Sequence, residues 1–303
     1  MTPKVAIIIL NWNGYRDTLE CLGSLSISAY ENREIVVVDN GSTDGSAERI
    51  PDAYPVVTML RNRENLGFAE GNNVGLMHAM KRDAEFMLLL NNDAVVSKTM
   101  LNQLIQVAEE DPRIGILGPQ IYFRDNPDTI ESAGARLNLL TGRLYHVNHG
   151  RKGISPYTGK TRDVDMISGC AMLVRREVID RIGYLDPLFF CYMEDADYCV
   201  RARNAGYRVV NVPLARVRHK GGGSLRGYAS PIRIYYGARN HLFLVEKNLP
   251  LRNQGRRWLR RMSIILFHLL FVCLHSPVPK RIGLMHLRRG VEDFFRGKMG
   301  SCD

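Results

Sequence analysis

The absences in this 303-residue chain already narrow what it does. Its six cysteines, at 21, 170, 191, 199, 273 and 302, form no Cys-x-x-Cys pair and no zinc spacing, so neither a disulfide framework nor a structural metal is expected. Long apolar runs are missing too. The N-terminal run stops at Asn11, too early for a signal peptide's core, and a reducing, cytoplasmic location is the expectation. The turn that follows lacks Gly-x-Gly-x-x-Gly, which argues against a dinucleotide fold, and without a Walker A sequence a P-loop nucleotidase is disfavoured. Acidic residues are scarce at one end only. Residues 251–303 hold eleven Lys and Arg against three Asp and Glu, a net of +8 out of +10 for the whole chain. The basic excess therefore belongs to a tail, and no general nucleic-acid-binding surface is expected.

What is present reads as an α/β protein with one large domain and an appendage. Apolar strands at 5–10, 34–38, 56–60 and 86–90 alternate with helical periodicity. One helix carries Leu19, Leu22 and Leu25, another Leu76, Met77 and Met80 on one face. A third, capped by Ser97, buries Met100, Leu101, Leu104, Ile105 and Ala108. This alternation predicts a parallel, doubly wound sheet with helices on both faces. Every strand ends in polar residues: Asn11-Trp12-Asn13, Asp39-Asn40-Gly41, Arg61-Asn62-Arg63 and Asn91-Asn92-Asp93. Ligands of such sheets bind beyond the carboxyl ends of the strands. One polar ending is loop chemistry, and Asp93 alone reads as a loop residue; four endings on one edge read as a binding site.

Regularity falls after residue 112. Residues 120–164 suggest hairpins and a mobile segment at 148–162, and order returns at 164–174 ahead of a helix from Arg176. A cluster of acids, Glu194, Asp195 and Asp197, then opens a short helix that ends at Gly206. At about 100° per residue Asp195 and Asp197 point roughly 200° apart. Asp197 stands four residues before Arg201, as in an ion pair on an exposed helix face. Glu194 and Asp195 sit in the first turn, where a carboxylate also suits the helix dipole.

Taken together, these stretches resemble the inverting family 2 glycosyltransferases with a GT-A fold, especially bacterial rhamnosyltransferase-like members. The matching segments are residues 7–14, 36–45, 65–73, 88–93, 168–174 and 193–197, ending at His219, so the resemblance covers roughly residues 4–225. It implies a catalytic domain over 1–228, with a nucleotide-sugar-binding half (1–112) and an acceptor half (113–228); the helical, basic region expected at 229–303 lies outside the resemblance. It implies that Asn11, Asn13 and Asp39 line a nucleoside pocket, Asp39 accepting from a pyrimidine edge, with Asn65 and Asn72 nearby and Asn91 facing the ribose. Asn92 and Arg226 join this donor-binding set. Asp93 and His219 would hold Mg²⁺ or Mn²⁺, although the family's Asp-x-Asp reads Asn91-Asn92-Asp93 here. His219 alone, between Arg218 and Lys220, also reads as a solvated surface residue. Asp195 would be the general base, with Glu194 the alternative, and the glycine-rich loop 216–226 would close over bound donor.

The implied function is an inverting sugar transfer from dTDP-L-rhamnose, or second from a UDP-sugar. The acceptor is a saccharide, expected to be lipid-linked, in cell-surface polysaccharide synthesis. The alternative is a non-catalytic nucleotide-sugar-binding or scaffold protein of the same fold. In the tail, Arg256-Arg257-Trp258-Leu259-Arg260-Arg261 precedes an apolar run at 262–274 broken only by Ser263 and His268. As a helix that run is about 20 Å long, short of a bilayer's hydrocarbon core. It suits either a helix lying on an anionic membrane at the inner face of the plasma membrane, or a helix packed in the core or in a homodimer. No nucleic-acid partner is expected.

Overall fold

The four apolar segments form the centre of one sheet. β1 (Val5–Asn11), β2 (Arg33–Asn40), β3 (Thr58–Asn62) and β4 (Phe86–Asn91) run parallel in the order β4-β1-β2-β3. Helices α1 (Tyr15–Ser26), α2 (Ser46–Ala53) and α3 (Gly67–Lys81) connect them. The computed structural model describes residues 2–152, 160–221 and 230–302. In β1, Ile7 lies level with Ile35 and Leu88, and successive residues feed opposite cores. Val5, Ile7 and Ile9 pack with Leu22 and Leu104, whereas Ala6 and Ile8 pack with Val36 and Leu76. Burial on both faces explains why the strand is continuously apolar; each such side chain contributes about 1.5–3 kcal/mol.

Two helices differ in detail from the periodicity. The buried face of α3 is Ala69, Gly71, Asn72, Asn73, Gly75, Leu76 and Ala79, while Met77 is exposed. Gly71 and Gly75 let the helix press onto β1: a Cβ there would come within 2.6 Å of Leu10 and 2.4 Å of Ile8. After β4 comes a short strand, β5 (Ala94–Val96), and then α4 (Met100–Glu110), which buries the five expected residues. Its N-cap is Thr99, because Ser97 is still extended, its N–H donating to Arg216 O.

The second half of the sheet was hidden in sequence. β6 (Ile114–Phe123) is a ten-residue strand, nearly all of it buried, where regularity was expected to fall. Gly115, Gly118 and Pro119 look like breakers, yet the glycines admit close neighbours: a Cβ on Gly118 would lie 2.3 Å from Ile167. The hairpins expected in 120–164 are β7 (Ile130–Ser132) on β6, and β8 (Ala135–Leu137) on β9 (Leu144–His146). The expected mobile segment 148–162 falls partly outside the described residues. Next come β10 (Arg162–Asp163), β11 (Ala171–Arg175), α5 (Arg176–Ile182), α6 (Glu194–Asn204) and β12 (Arg208–His219). β11 runs antiparallel to both β4 and β6, β12 runs parallel to β6, and β5 joins the end of β12. That last pairing sets His219 level with Ala94, next to Asp93.

The chain closes with α7 (Pro231–Asn248), α8 (Gln254–Leu274) and α9 (Lys280–Phe295). Leu244 of α7 belongs to the same core as α3 and α6. Among the described residues no helix is long and apolar enough to cross a membrane.

Candidate active site

The polar strand ends form a network of their own. Asn11 is fully buried; its Nδ2 donates to Asp39 Oδ1 (2.9 Å) and Ser42 Oγ (3.1 Å), and its Oδ1 accepts from Thr18 Oγ1 (2.8 Å). Asp39 Oδ2 accepts from the Ser42 N–H at 3.0 Å. Asn13, exposed and at φ 51°, turns the chain and accepts from the Thr43 N–H at 2.7 Å. Asn65 Oδ1 accepts from Asn40 Nδ2 and from the Gly67 N–H, each at 2.9 Å. Asn72 is buried and donates to Phe68 O, and Asn92 donates to Thr18 Oγ1 at 3.2 Å. These side chains knit the four loops to one another, and Asn40, which also accepts from Asn62 and the Leu66 N–H, is a hub that sequence reasoning passed over.

At the end of β4 the chemistry changes. Asp93 is buried, and its Oδ1 lies 3.2 Å from Nε2 of His219, which comes from 126 positions along the chain. Nδ1 of His219 meets Glu131 Oε2 at 2.9 Å, so a carboxylate fixes the ring and leaves Nε2 toward Asp93. His219 is thus no solvated surface residue. Burial works against its charge, but Cys170, Asp93 and Glu131 outweigh it and hold its pKa well above the usual histidine value. Asn91 Nδ2 is 3.2 Å from the same Nε2. Glu131, in the three-residue strand β7, carries no sequence signal. Arg226 lies outside the described residues, as does much of the loop expected to close over donor.

The acids of α6 separate into three roles. Asp197 is fully buried, not on an exposed face: Arg201 Nε (2.8 Å), Lys247 Nζ (2.7 Å) and Asn248 Nδ2 (2.8 Å) all meet its carboxylate. Glu194 is 5% exposed, with Oε2 lacking any partner among the described residues. Burial first, and then the neighbouring Asp195, push its pKa well above the usual range. Asp195 stays partly open to solvent, with Oδ2 accepting from the Gly169 N–H at 2.9 Å. Burial raises its pKa as well, opposed by the Gly169 and Ala196 N–H groups. The turn at 168–171 joins the two sets of groups. Gly169 holds Asp195, Cys170 lies against His219, and Cys170 O accepts from the Asn91 N–H at 2.9 Å.

The approach to α6 is strained and clamped. Phe190, Tyr192 and Met193 all have positive φ, 62°, 68° and 73°, which costs of order 1–3 kcal/mol per residue. α7 holds them there. Asn240 Nδ2 donates to Phe189, Cys191 and Tyr192 carbonyls at 2.8 Å each, and the buried Arg239 donates to Leu188 and Phe189 carbonyls. Phe190 O in turn accepts from the Phe68 and Ala69 N–H groups at the start of α3.

Residues 3–231 match the profile of glycosyltransferase like family 2. An N-acetylglucosaminyl-diphospho-decaprenol L-rhamnosyltransferase of Mycobacterium tuberculosis strain H37Rv is 28% identical over 284 residues, 88% of this chain and 92% of that protein. The dTDP-rhamnosyl transferase RfbF of Shigella flexneri is 25% identical over 255 residues, 82% of each. The mannosyltransferase PcManGT of Pyrobaculum calidifontis, solved with GDP-Man and Mn²⁺, is similar in structure, with a TM-score of 0.59 at 15% identity over 98% of this chain and 87% of that one. At that identity the likeness speaks for the fold alone. Because the profile match runs from β1 to the start of α7, the chain belongs to glycosyltransferase family 2 and is a GT-A glycosyltransferase of the rhamnosyltransferase-like kind.

Proposed function

We propose that the protein moves a sugar from a nucleotide-sugar to a saccharide hydroxyl by a single displacement that inverts the anomeric carbon. The observation that carries this reading is the turn at 168–171, which ties Asp195 to the Asp93–His219 pair. Asp195 takes the acceptor's proton, as the acid that is both partly open and held in place by a backbone N–H. The acceptor oxygen bonds to the anomeric carbon while the bond to the diphosphate oxygen breaks, and that electron pair leaves with the nucleoside diphosphate. Glu194, buried and without a partner at Oε2 among the described residues, keeps the second place as a base.

Asp93 Oδ1 and His219 Nε2 fit a hard divalent cation as one carboxylate and one imidazole ligand on the same side. Among the described residues no third His, Cys, Asp or Glu completes a cage, which suits an ion that takes its other ligands from diphosphate and water. Bound Mg²⁺ or Mn²⁺ would offset the charge that develops on the leaving diphosphate. Glu131 positions His219 for that task. Asp39 reads the pyrimidine edge, and Asn11, Asn65, Asn72 and Asn92 shape the pocket through the network of strand ends. Asn13 and Asn91 complete the donor side, and Arg226 its phosphate end.

The names of the mycobacterial and Shigella relatives support dTDP-L-rhamnose as donor, with UDP-sugars second. The mycobacterial name also supports a lipid-linked acceptor, and hence work on a cell-surface polysaccharide at the inner face of the plasma membrane. A thermal-shift screen of nucleotide-sugars with Mg²⁺ or Mn²⁺ tests the donor. A ligand at about 100 times its Kd stabilises by roughly 2.7 kcal/mol. Selective stabilisation by dTDP-L-rhamnose is expected, and selective stabilisation by a UDP-sugar would replace it.

A further inference from the structure

Helix α8 is built inside out. At about 100° per residue, Trp258, Leu259, Met262, Leu266, Leu270 and Leu274 share one arc of about 160°, and all six are exposed, Trp258 by 59% and Leu274 by 70%. Three of its four charged side chains point the other way. Arg257 and Arg261 pair with Glu246 of α7, and the buried Arg260 donates to the Leu249 and Val245 carbonyls. A water-facing helix has the opposite arrangement, with polar groups outward. No Lys, Arg, Asp or Glu occurs between 262 and 279, so nothing charged interrupts the outward face over four turns.

From this we infer that the outer face of α8 docks flat on an anionic membrane surface. Charge complementarity selects this occupant. Exposed Arg256 precedes the apolar arc, and exposed Lys280, Arg281 and Arg288 follow it, within a tail of net +8. Two copies pressed together by this face would bring like-charged tails into contact, whereas an anionic surface attracts them. Each Lys or Arg near such a surface strengthens association about fivefold. α8 has 21 residues but is not apolar enough over that length to span, so it lies in the interface, with Trp258 at headgroup depth. The inner face of α8 packs on α7, whose Asn240 holds the loop leading to Asp195, so docking would set the catalytic loop one helix from the lipid surface. The inference rests on α8 itself and holds whatever the acceptor is.

Flotation of the full-length protein with vesicles that contain no acceptor tests it. The protein is expected to float with phosphatidylcholine vesicles containing phosphatidylglycerol, to stay down with phosphatidylcholine alone, and to be released by salt. Leu266→Gln with Leu270→Gln, both at exposed positions, should weaken binding about tenfold or more while leaving thermal unfolding unchanged. Lys280→Glu with Arg281→Glu should weaken it too. Tryptophan emission should shift to the blue on vesicles, and Trp258→Phe should remove the shift. Absence of flotation with either vesicle, or equal flotation with both, would overturn the inference. So would a dimer in solution that the two leucine substitutions disperse, since a second copy would then own the face.

Discussion

Asp195 and Glu194 are adjacent carboxylates in different surroundings. One is partly open and held by the Gly169 N–H, the other is closed in, with an oxygen that has no partner among the described residues. Asp195→Asn should therefore lower kcat by three orders of magnitude or so while donor affinity changes little, measured as turnover alongside donor titration. Substantial residual turnover would return the base to Glu194. Glu194 has a pH signature of its own. Its folded pKa lies above its ordinary 4.5, so its contribution to stability is fully present below that value and is lost as pH rises toward the folded value. Glu194→Gln does not titrate. Its unfolding temperature should exceed that of the wild type at about pH 8, with the gap closing toward about pH 4; a gap independent of pH would contradict this. At the Asp93–His219 pair, Asp93→Ala should abolish metal-dependent transfer and Mn²⁺ binding in the presence of nucleotide, followed by titration calorimetry. Asn91→Asp, putting a carboxylate oxygen where Nδ2 now lies 3.2 Å from His219 Nε2, should keep transfer and tighten Mn²⁺.

At the scale of elements, α7 does more than cover the sheet. It supports the strained 188–193 loop through Arg239 and Asn240, and it reaches α6 through Lys247 and Asn248 on Asp197. Removing Asp197 takes the shared carboxylate from Arg201 and Lys247, which keep 19% and 26% exposure, the Ile182 and Tyr184 carbonyls for Arg201, and Asp186 for Lys247. Asp197→Ala should then cost about 3 kcal/mol, near the lower end for a broken buried pair, measured by denaturant unfolding. A cost below about 1 kcal/mol would mean that the pair behaves as a surface one after all. The i, i+4 spacing identified the Asp197–Arg201 contact correctly but gave it the wrong setting, since the spacing says nothing of α7 packing on top.

For the whole molecule, the boundary between catalytic domain and tail is physically soft at α7. Its Leu244 fills the core shared by α3 and α6, and its Tyr235, Tyr236 and Leu242 are as buried as any strand residue. Deleting residues 229–303 should leave a chain without a cooperative thermal transition, because the 188–193 loop would lose its clamp and the core a wall. Scanning calorimetry checks this, and a sharp transition near that of the full chain would show the first 228 residues to be self-sufficient. The tail is therefore part of what holds Asp195, as well as the carrier of the basic charge.

The sequence by itself determined the parallel half of the sheet, the polar strand ends and the acidic start of α6. Continuous apolar runs, helical spacing and turn residues are local signals, and β1 to β4 with their helices express them directly. Tertiary structure alone decided the rest. β6 looked irregular because its glycines serve neighbours such as Ile167 and Val178. Glu131 meets His219 only because β7 pairs with β6 while β12 runs beside it, placing residues 88 positions apart in contact. Asn240 and Asp197 acquired their roles in the same way, and the inversion of α8 appears only once α7 takes its arginines. In each case the partner comes from a distant segment, and no spacing within the chain records which face another element will cover.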